Sequence, residues 1–591
     1  MMHSIIVNKC LKRKLTANNA TLLMELSCIA AILLYVVQPV ERVWYQTDVS
    51  LTYAIFFIAA IGGCLLMFRN RHILISKLDV ALITWYLYVM GRAYFNVSYP
   101  CATIILRSTQ MMMLYIAFRL LMSSSSIQER YIVVLILCFA FYEALLGIHQ
   151  FANGYSRHYL YLITGTFLNP GPYSIILAMG LVMSLTWIKC AENLHLRSSF
   201  LYIPVIVLTI VLPTTWSRAA LLSTAICVGI TYWSELKRWI WWIVAVSSMI
   251  SLFLYFIKIG SAEGRFIIYF ISILIITHHP VIGSGIGSFF HQYAKEMARF
   301  SQAHPDFNFQ SADVLDYAFN DLLRIGVEQG LVGICIAIVV ILLTFNSIGI
   351  KGQTLRMGFL ALLIFSLFSY PFELLPYQII MTLILAYAGT SEPVYVVKGW
   401  KKQFFNRFFI PVGCLLMMVP ASIFVSHQIE CRAKAETDYQ MMAGLSDAAF
   451  IDDYYELLPL LTENPRFLFD FGKMLAQQGR YNDSNGMLRQ GALVSNDPMF
   501  YVIQGNNYRD MGAYNEAETA YLKAYHVLPN RLYPLYQLMC LYEQAGDVDK
   551  MRQMAQQVIG FNVKVESPAT KEMKDKARTF AKASEQEKSY N

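Results

Sequence analysis

Residues 321–345 read DLLRIGVEQGLVGICIAIVVILLTF. The stretch opens on charge and then runs from Gln329 to Phe345 without a charged residue. About 20 apolar residues are what the ~30 Å hydrocarbon core of a bilayer requires of a helix. Runs of the same kind lie near 21–40, 51–68, 78–95, 102–122, 130–150, 172–188, 199–215, 218–234, 238–257, 354–371, 374–390 and 405–427. With 321–345 they make 13 expected spans.

Composition agrees. The chain has 591 residues, 56% hydrophobic, 14% aromatic and 15% charged, with a mean hydropathy of +0.45. Soluble domains carry about a quarter charged residues, so this chain lacks the polar surface to be soluble throughout. Disorder, a collagen-like rod and a disulfide scaffold are excluded by the same numbers. The charge is uneven. From Glu430 onward there are 18 basic and 22 acidic residues, and before it 29 and 17. A basic membrane part is thus followed by a mildly acidic soluble tail. Nine of the 11 cysteines precede residue 430, and no zinc-like Cys/His spacing occurs. The run 21–40 has no A-x-A-like cleavage site after it and reads as a span.

Lys and Arg set the expected orientation. Lys9, Lys12, Arg13 and Lys14 place the N-terminus inside. Inner loops then hold Arg69, Arg71 and Lys77; Arg130; Lys189 and Arg197; Lys237 and Arg238; Lys351 and Arg356; and Lys398, Lys401 and Lys402. The short outer loops hold little more than Arg42 and Arg157. An odd number of spans puts the tail outside. Two outer segments are long, 151–171 and about 258–320. Within the second, RFIIYFISILIITH (265–278) is short for a span and reads as a helix lying at the interface.

The tail repeats. Gly479-Arg480-Tyr481 recurs 33 residues on as Gly512-Ala513-Tyr514, and Gly546-Asp547 follows after 34. Asn464-Pro465 recurs as Asp497-Pro498 after 33. This resembles tetratricopeptide repeats over about 460–555, which stack helix pairs and usually bind peptides or proteins. A rigidifying role is equally open.

On the outer face stand Gly165-Thr166-Phe167-Leu168-Asn169-Pro170, Ser217-Arg218, Gly264-Arg265, His279-Pro280-Val281-Ile282-Gly283-Ser284-Gly285-Ile286-Gly287, and Ala318-Phe319-Asn320-Asp321 running on to Glu328. Arg218 and Arg265 are informative, because outer arginines at a membrane boundary are disfavoured unless they snorkel or have a partner. Their guanidinium forks suit a phosphate or diphosphate; each alone also reads as a helix-end residue. Gly283, Gly285 and Gly287 offer backbone N–H groups to an oxygen ligand or form a plain tight turn. His304 is a loop histidine able to act as a base, or simply solvated. No HExxH, DxD-like or P-loop motif occurs, so neither metal nor ATP is expected.

In this order the motifs resemble the O-antigen ligase superfamily, which contains O-antigen ligases, Wzy-type polymerases and bacterial protein O-oligosaccharyltransferases. The resemblance covers about 130–390. It implies an all-α, GT-C-like membrane domain over 1–428, a linker or helical connector over 429–459, the repeats over 460–555 and a charged tail over 556–591. It further implies a glycosyltransferase without cofactor, in the inner membrane, with a cytoplasmic N-terminus and periplasmic repeats. The donor would be a glycan on undecaprenyl diphosphate. The acceptor would be lipid A–core, another lipid-linked glycan or a protein hydroxyl, with no role for nucleic acid. The implied donor set is Arg218, Arg265, Asn169, Gly283, Gly285 and Asn320. The family's usual histidine before the tenth span is Phe319 here, which leaves Glu328, Asp321, His304 and Asp316 as acid–base candidates. Glu328, two turns into its helix, needs a partner such as an arginine. Rival readings are an anionic-solute transporter, or a scaffold that presents the repeats.

Overall fold

The computed structural model describes residues 22–34, 44–69, 75–95, 98–124, 127–154, 156, 161–193, 199–239, 259–349, 352–391, 408–443 and 448–590. The expected span 238–257 from residue 240 on, the N-terminal basic cluster, and Arg42, Arg71, Arg157, Arg197, Lys351, Lys398, Lys401 and Lys402 lie outside the described residues.

Among the described residues every regular element is helical. The membrane part holds α1 (Leu22–Leu34), α2 (Trp44–Phe68), α3 (Lys77–Phe95), α4 (Ala102–Ser124), α5 (Glu129–Asn153), α6 (Pro170–Asn193), α7 (Tyr202–Thr214) and α8 (Arg218–Thr231). It continues with α9 (Ile259–His278), α10 (Phe289–Ala303), α11 (Asp321–Ile348), α12 (Gln353–Ser366), α13 (Leu375–Ser391) and α14 (Ile410–Ala443). Seven of these are long and apolar enough to cross a membrane: α2, α4, α5, α6, α9, α11 and α14. The expected spans over α1, α3, α7, α8, α12 and α13 are not among them. Pro213 and Thr215 end α7 just before Ser217 caps α8, and 14 residues reach only about 21 Å.

One expectation is corrected. The interface helix at 265–278 begins at Ile259 and has the length of a span. Glu263 and Arg265 interrupt its apolar pattern, but Glu263 accepts a bond from Ser311 Oγ at 2.6 Å. The first part of the connector over 429–459 is the C-terminal end of α14, which runs from Ile410 to Ala443.

In the bundle, α6 packs against α5, α7, α8 and α12, while α2 packs against α4 and α14. Tyr173, Phe118, Phe359 and Phe365 are fully buried there. Lipid is as apolar as these side chains, so close packing rather than water exclusion holds the helices together. A buried ion pair joins α3 to α4: Arg119 Nε and Nη2 each donate to Asp79 at 2.8 Å.

The tail holds α15 (Ile451–Leu461), α16 (Pro465–Gln477), α17 (Tyr481–Val494), α18 (Met499–Asp510), α19 (Tyr514–Val527), α20 (Tyr533–Ala545), α21 (Val548–Gly560) and α22 (Pro568–Tyr590). From α15 on, each of these helices packs against its neighbours in sequence. Asn464 caps α16 by accepting Phe467 N, with Pro465 at the first helical position. Gly479, Gly512 and Gly546 follow α16, α18 and α20 with positive φ. These are the glycines of the 33- and 34-residue spacing. In water the burial of Phe467, Phe471, Tyr521 and Leu538 stabilises by about 1.5–3 kcal/mol per side chain.

The tail is docked onto the membrane part through α10. Ala294 of α10 is buried in the tail core, and Leu528 of the tail is buried among Ile267, Ile271, Phe289 and Met297. Asn496 Oδ1 accepts from Leu315 N at 2.9 Å, and Asn530 Nδ2 donates to Gln310 O and Ala312 O at 3.1 and 2.7 Å.

Candidate functional site

The span that opened the sequence reading is not continuous. At Gly330 the backbone turns to φ 67°, ψ −163°, and α11 breaks into two half-helices. A break at this depth strands backbone groups that lipid cannot satisfy. The turn 280–287 satisfies them. Leu331 N and Val332 N donate to Pro280 O and Val281 O at 2.8 and 3.1 Å. In return, Ser284 N and Gly285 N donate to Val327 O and Glu328 O at 2.8 and 3.1 Å. Tyr88 of α3 donates to the freed Gln329 O at 2.8 Å, Trp85 Nε1 to Gln329 Oε1 at 2.9 Å, and Arg92 Nη2 to Gly283 O at 3.2 Å. Gly283 (φ 69°) and Gly330 lie back to back. A Cβ on Gly283 would sit 2.5 Å from Gln329 N.

This corrects the donor set. Gly283 N donates to His279 O and Gly285 N to Glu328 O. Neither N–H is available to a phosphate oxygen; these glycines build the helix break instead.

The first half-helix carries the acids. Asn320 caps it, accepting Leu323 N at 2.9 Å while donating to Leu367 O at 2.9 Å. Asp321 is buried and accepts from Phe372 N at 3.3 Å. Glu328 is 4% exposed. Its partner is Arg324, one turn back, at 3.3 Å. Arg324 Nη1 also reaches Glu373 at 2.5 Å. Glu328 and Glu373 therefore share one guanidinium, with Asp321 nearby on the same half-helix. His304 stands elsewhere. It caps the end of α10, exposed, with its ring stacked on Phe300 at 4.4 Å.

Beyond Glu373 lies an aromatic cluster. Tyr317 stacks on Tyr370 with centroids 3.7 Å apart, and Phe319 meets Tyr370 edge-on at 5.3 Å. Phe319 holds a positive φ of 53°, fixed by Tyr269 donating to its carbonyl at 3.0 Å. Burial first, then the nearby Glu373 and Asp316, push the Tyr317 hydroxyl up to about 12. Burial, with Asp313 second, also raises the Asp316 carboxyl above its usual range.

The Phe319 ring forms a floor under Arg265, whose guanidinium carbon is 5.6 Å from the ring centre. Arg218 approaches from α8 and donates from Nη2 to Ser261 Oγ at 3.4 Å, one turn ahead of Arg265 on α9. Two guanidiniums from different helices thus converge. Among the described residues neither has a carboxylate within ion-pair distance. No family model and no curated protein matches this chain.

Asn169 is exposed at the start of α6, its side-chain oxygen accepting Gly171 N at 2.8 Å. Its loop is held by two residues that sequence reasoning missed. Glu143 accepts Thr166 N and Oγ1 at 3.0 and 2.6 Å. Gln150 Oε1 accepts Thr164 N and Gly165 N at 2.9 and 2.8 Å. A signal for both existed, since an acid and an amide inside an apolar run demand a local purpose. Glu373 gave less, being one acid in a short 3-10 turn 49 residues from Arg324.

Among the described residues no cluster could hold a metal ion. The geometry offers an anion cradle (Arg218, Arg265) and a proton-holding cluster (Asp321, Glu328, Glu373, with Arg324). Tyr317, Tyr370 and Phe319 stand between them.

Proposed function

We propose that this chain transfers a preassembled glycan from a polyprenyl-diphosphate carrier to an acceptor hydroxyl, as an O-antigen ligase does. The observation that carries the reading is the convergence of Arg218 and Arg265, without a carboxylate, beside a buried acid cluster. Breaking the sugar–phosphate bond leaves charge on the diphosphate, and fixed guanidiniums stabilise it there. The acceptor oxygen attacks the anomeric carbon, the leaving diphosphate takes the bonding electron pair, and the hydroxyl proton passes to a carboxylate. Glu328 is the carboxylate assigned to receive it.

The finer topology belongs to this reading. It has about 13 spans, an inner-membrane location, a cytoplasmic N-terminus, and periplasmic helix pairs of the tetratricopeptide kind. The resemblance of the motifs from 165 to 333 supports the same class.

The test is the lipopolysaccharide banding of a strain lacking the gene, with wild-type, Arg218→Ala or Arg265→Ala copies restored. Loss of the whole ladder with lipid-linked glycan left unused supports ligation. A core bearing one repeat unit points to polymerisation. An unchanged ladder sinks both. Full rescue by Arg218→Ala removes the diphosphate from this pair.

A further inference from the structure

The acid cluster opens onto a cavity of about 500 Å³ that the donor reading does not use. Arg324, Glu328 and Phe290 line it on one side, and Arg432, Glu436 and Glu463 on the other. The second group comes from α14 and the start of the tail, so the cavity exists only because the tail is docked.

Its polar groups are held in place. Both oxygens of Glu463 accept Thr103 N, at 3.2 and 3.0 Å. Glu436 accepts Asn464 Nδ2 at 2.7 Å. Arg432 is 6% exposed, donates from Nη1 to Leu460 O at 2.9 Å, and leaves its Nε buried without a partner. Rigid carboxylates and a planar guanidinium beside Phe290, Ile104 and Leu461 suit a ligand with hydroxyls on its edge and C–H groups on its face.

Charge narrows the ligand class further. Three glutamates and two arginines line the space, so a polyanion meets net repulsion. An acyl chain would strand all five charges. The volume is that of a small-molecule site.

We infer that this cavity is the acceptor site and takes an uncharged, hydroxyl-rich saccharide, with Glu463 and Arg432 positioning the hydroxyl that reaches Glu328. The assignment rests on the transfer reading. It puts donor and acceptor on opposite sides of the Arg324–Glu373 pair.

The test uses the full chain in lipid nanodiscs. Gln440, an exposed residue of α14 on the cavity rim, is changed to Trp to fill the space, with Gln440→Ala as the control. The probes are a neutral hexose oligosaccharide and a Ser/Thr-rich peptide. The expected result is that the oligosaccharide slows deuterium exchange of amides 460–464 in the wild type and Gln440→Ala, but not in Gln440→Trp. The KM for acceptor rises at least tenfold in Gln440→Trp while donor KM is unchanged. Protection by the peptide instead overturns the saccharide assignment. Wild-type acceptor KM in Gln440→Trp, with equal melting temperatures, overturns the site. Failure of the transfer reading shows separately, as binding of undecaprenyl-diphosphate glycan that Arg218→Ala leaves unaltered.

Discussion

Replacing Gly283 by Ala tests whether the turn 280–287 is what keeps α11 broken. The left-handed backbone at Gly283 costs an alanine about 1–2 kcal/mol. The added Cβ meets the backbone of residues 328–330 at 2.5–2.6 Å, and backbone cannot swing aside as a flexible side chain does. The turn must then retreat from Leu331, Val332, Val327 and Glu328. Four backbone hydrogen bonds at about 1 kcal/mol each raise the total to roughly 5–6 kcal/mol, a large part of an ordinary folding free energy. Gly154 is the control, since it has the same φ of 70° and nothing within 4 Å of a Cβ. Gly154→Ala is expected to cost only the backbone term. The assay is thermal unfolding in detergent, together with deuterium exchange at amides 284, 285, 331 and 332. Gly283→Ala should melt well below Gly154→Ala and lose protection at those four amides. Equal melting temperatures with protection retained would show that the turn does not support the break.

Other perturbations have equally definite outcomes. Arg324→Met leaves Glu328 and Glu373 buried without their cation, a loss of about 3–5 kcal/mol; adding Glu328→Gln and Glu373→Gln should restore much of the melting temperature while transfer stays absent. Asn530→Ala removes the donor to Gln310 O and Ala312 O and should cost about 1–3 kcal/mol, read as faster proteolysis between α10 and the tail. His291 contacts the carbonyl of Ala492 at 2.9 Å, and burial, with Lys523 and Lys295 adding, lowers its pKa; burial lowers His526 too. Each binds fewer protons folded than unfolded, so docking of the tail is at full strength above the unfolded value of about 6.5 and weakens as pH falls below it. Protection around Leu528, taken relative to intrinsic exchange at each pH, should therefore fall from pH 7.5 to 5.5, and fall less in His291→Asn/His526→Asn.

Much of the fold was legible because lipid imposes its own grammar. Apolar length marks α2, α4, α5, α6, α11 and α14, and the glycine spacing marks the ends of α16, α18 and α20. The helix α9 looked too short for a span because Glu263 and Arg265 look unpaired in one dimension, whereas Ser311 meets Glu263 from 48 residues away. The break in α11 was hidden for a related reason. Gly330 in an apolar run signals nothing until the glycine opposite it, Gly283, is placed against it. Arg218, Arg265 and Glu328 could be singled out as misplaced charges. The cavity could not, because it is made by residues from Pro100 to Val494 that only the docked tail assembles.

The seating of α10 against α17 and α19 has a bearing on how the chain is born. Ribosomes deliver the α9–α11 hairpin long before the last 150 residues exist. Until those residues emerge, Ala294 has no cover, Leu315 N has no acceptor in Asn496, and the cavity beside Glu328 lacks Leu461, Glu463 and Val494. A truncated translation product would hold every transmembrane helix and both converging arginines, yet lack the wall that the tail supplies. The tail must therefore be complete before the cavity beside Glu328 is whole.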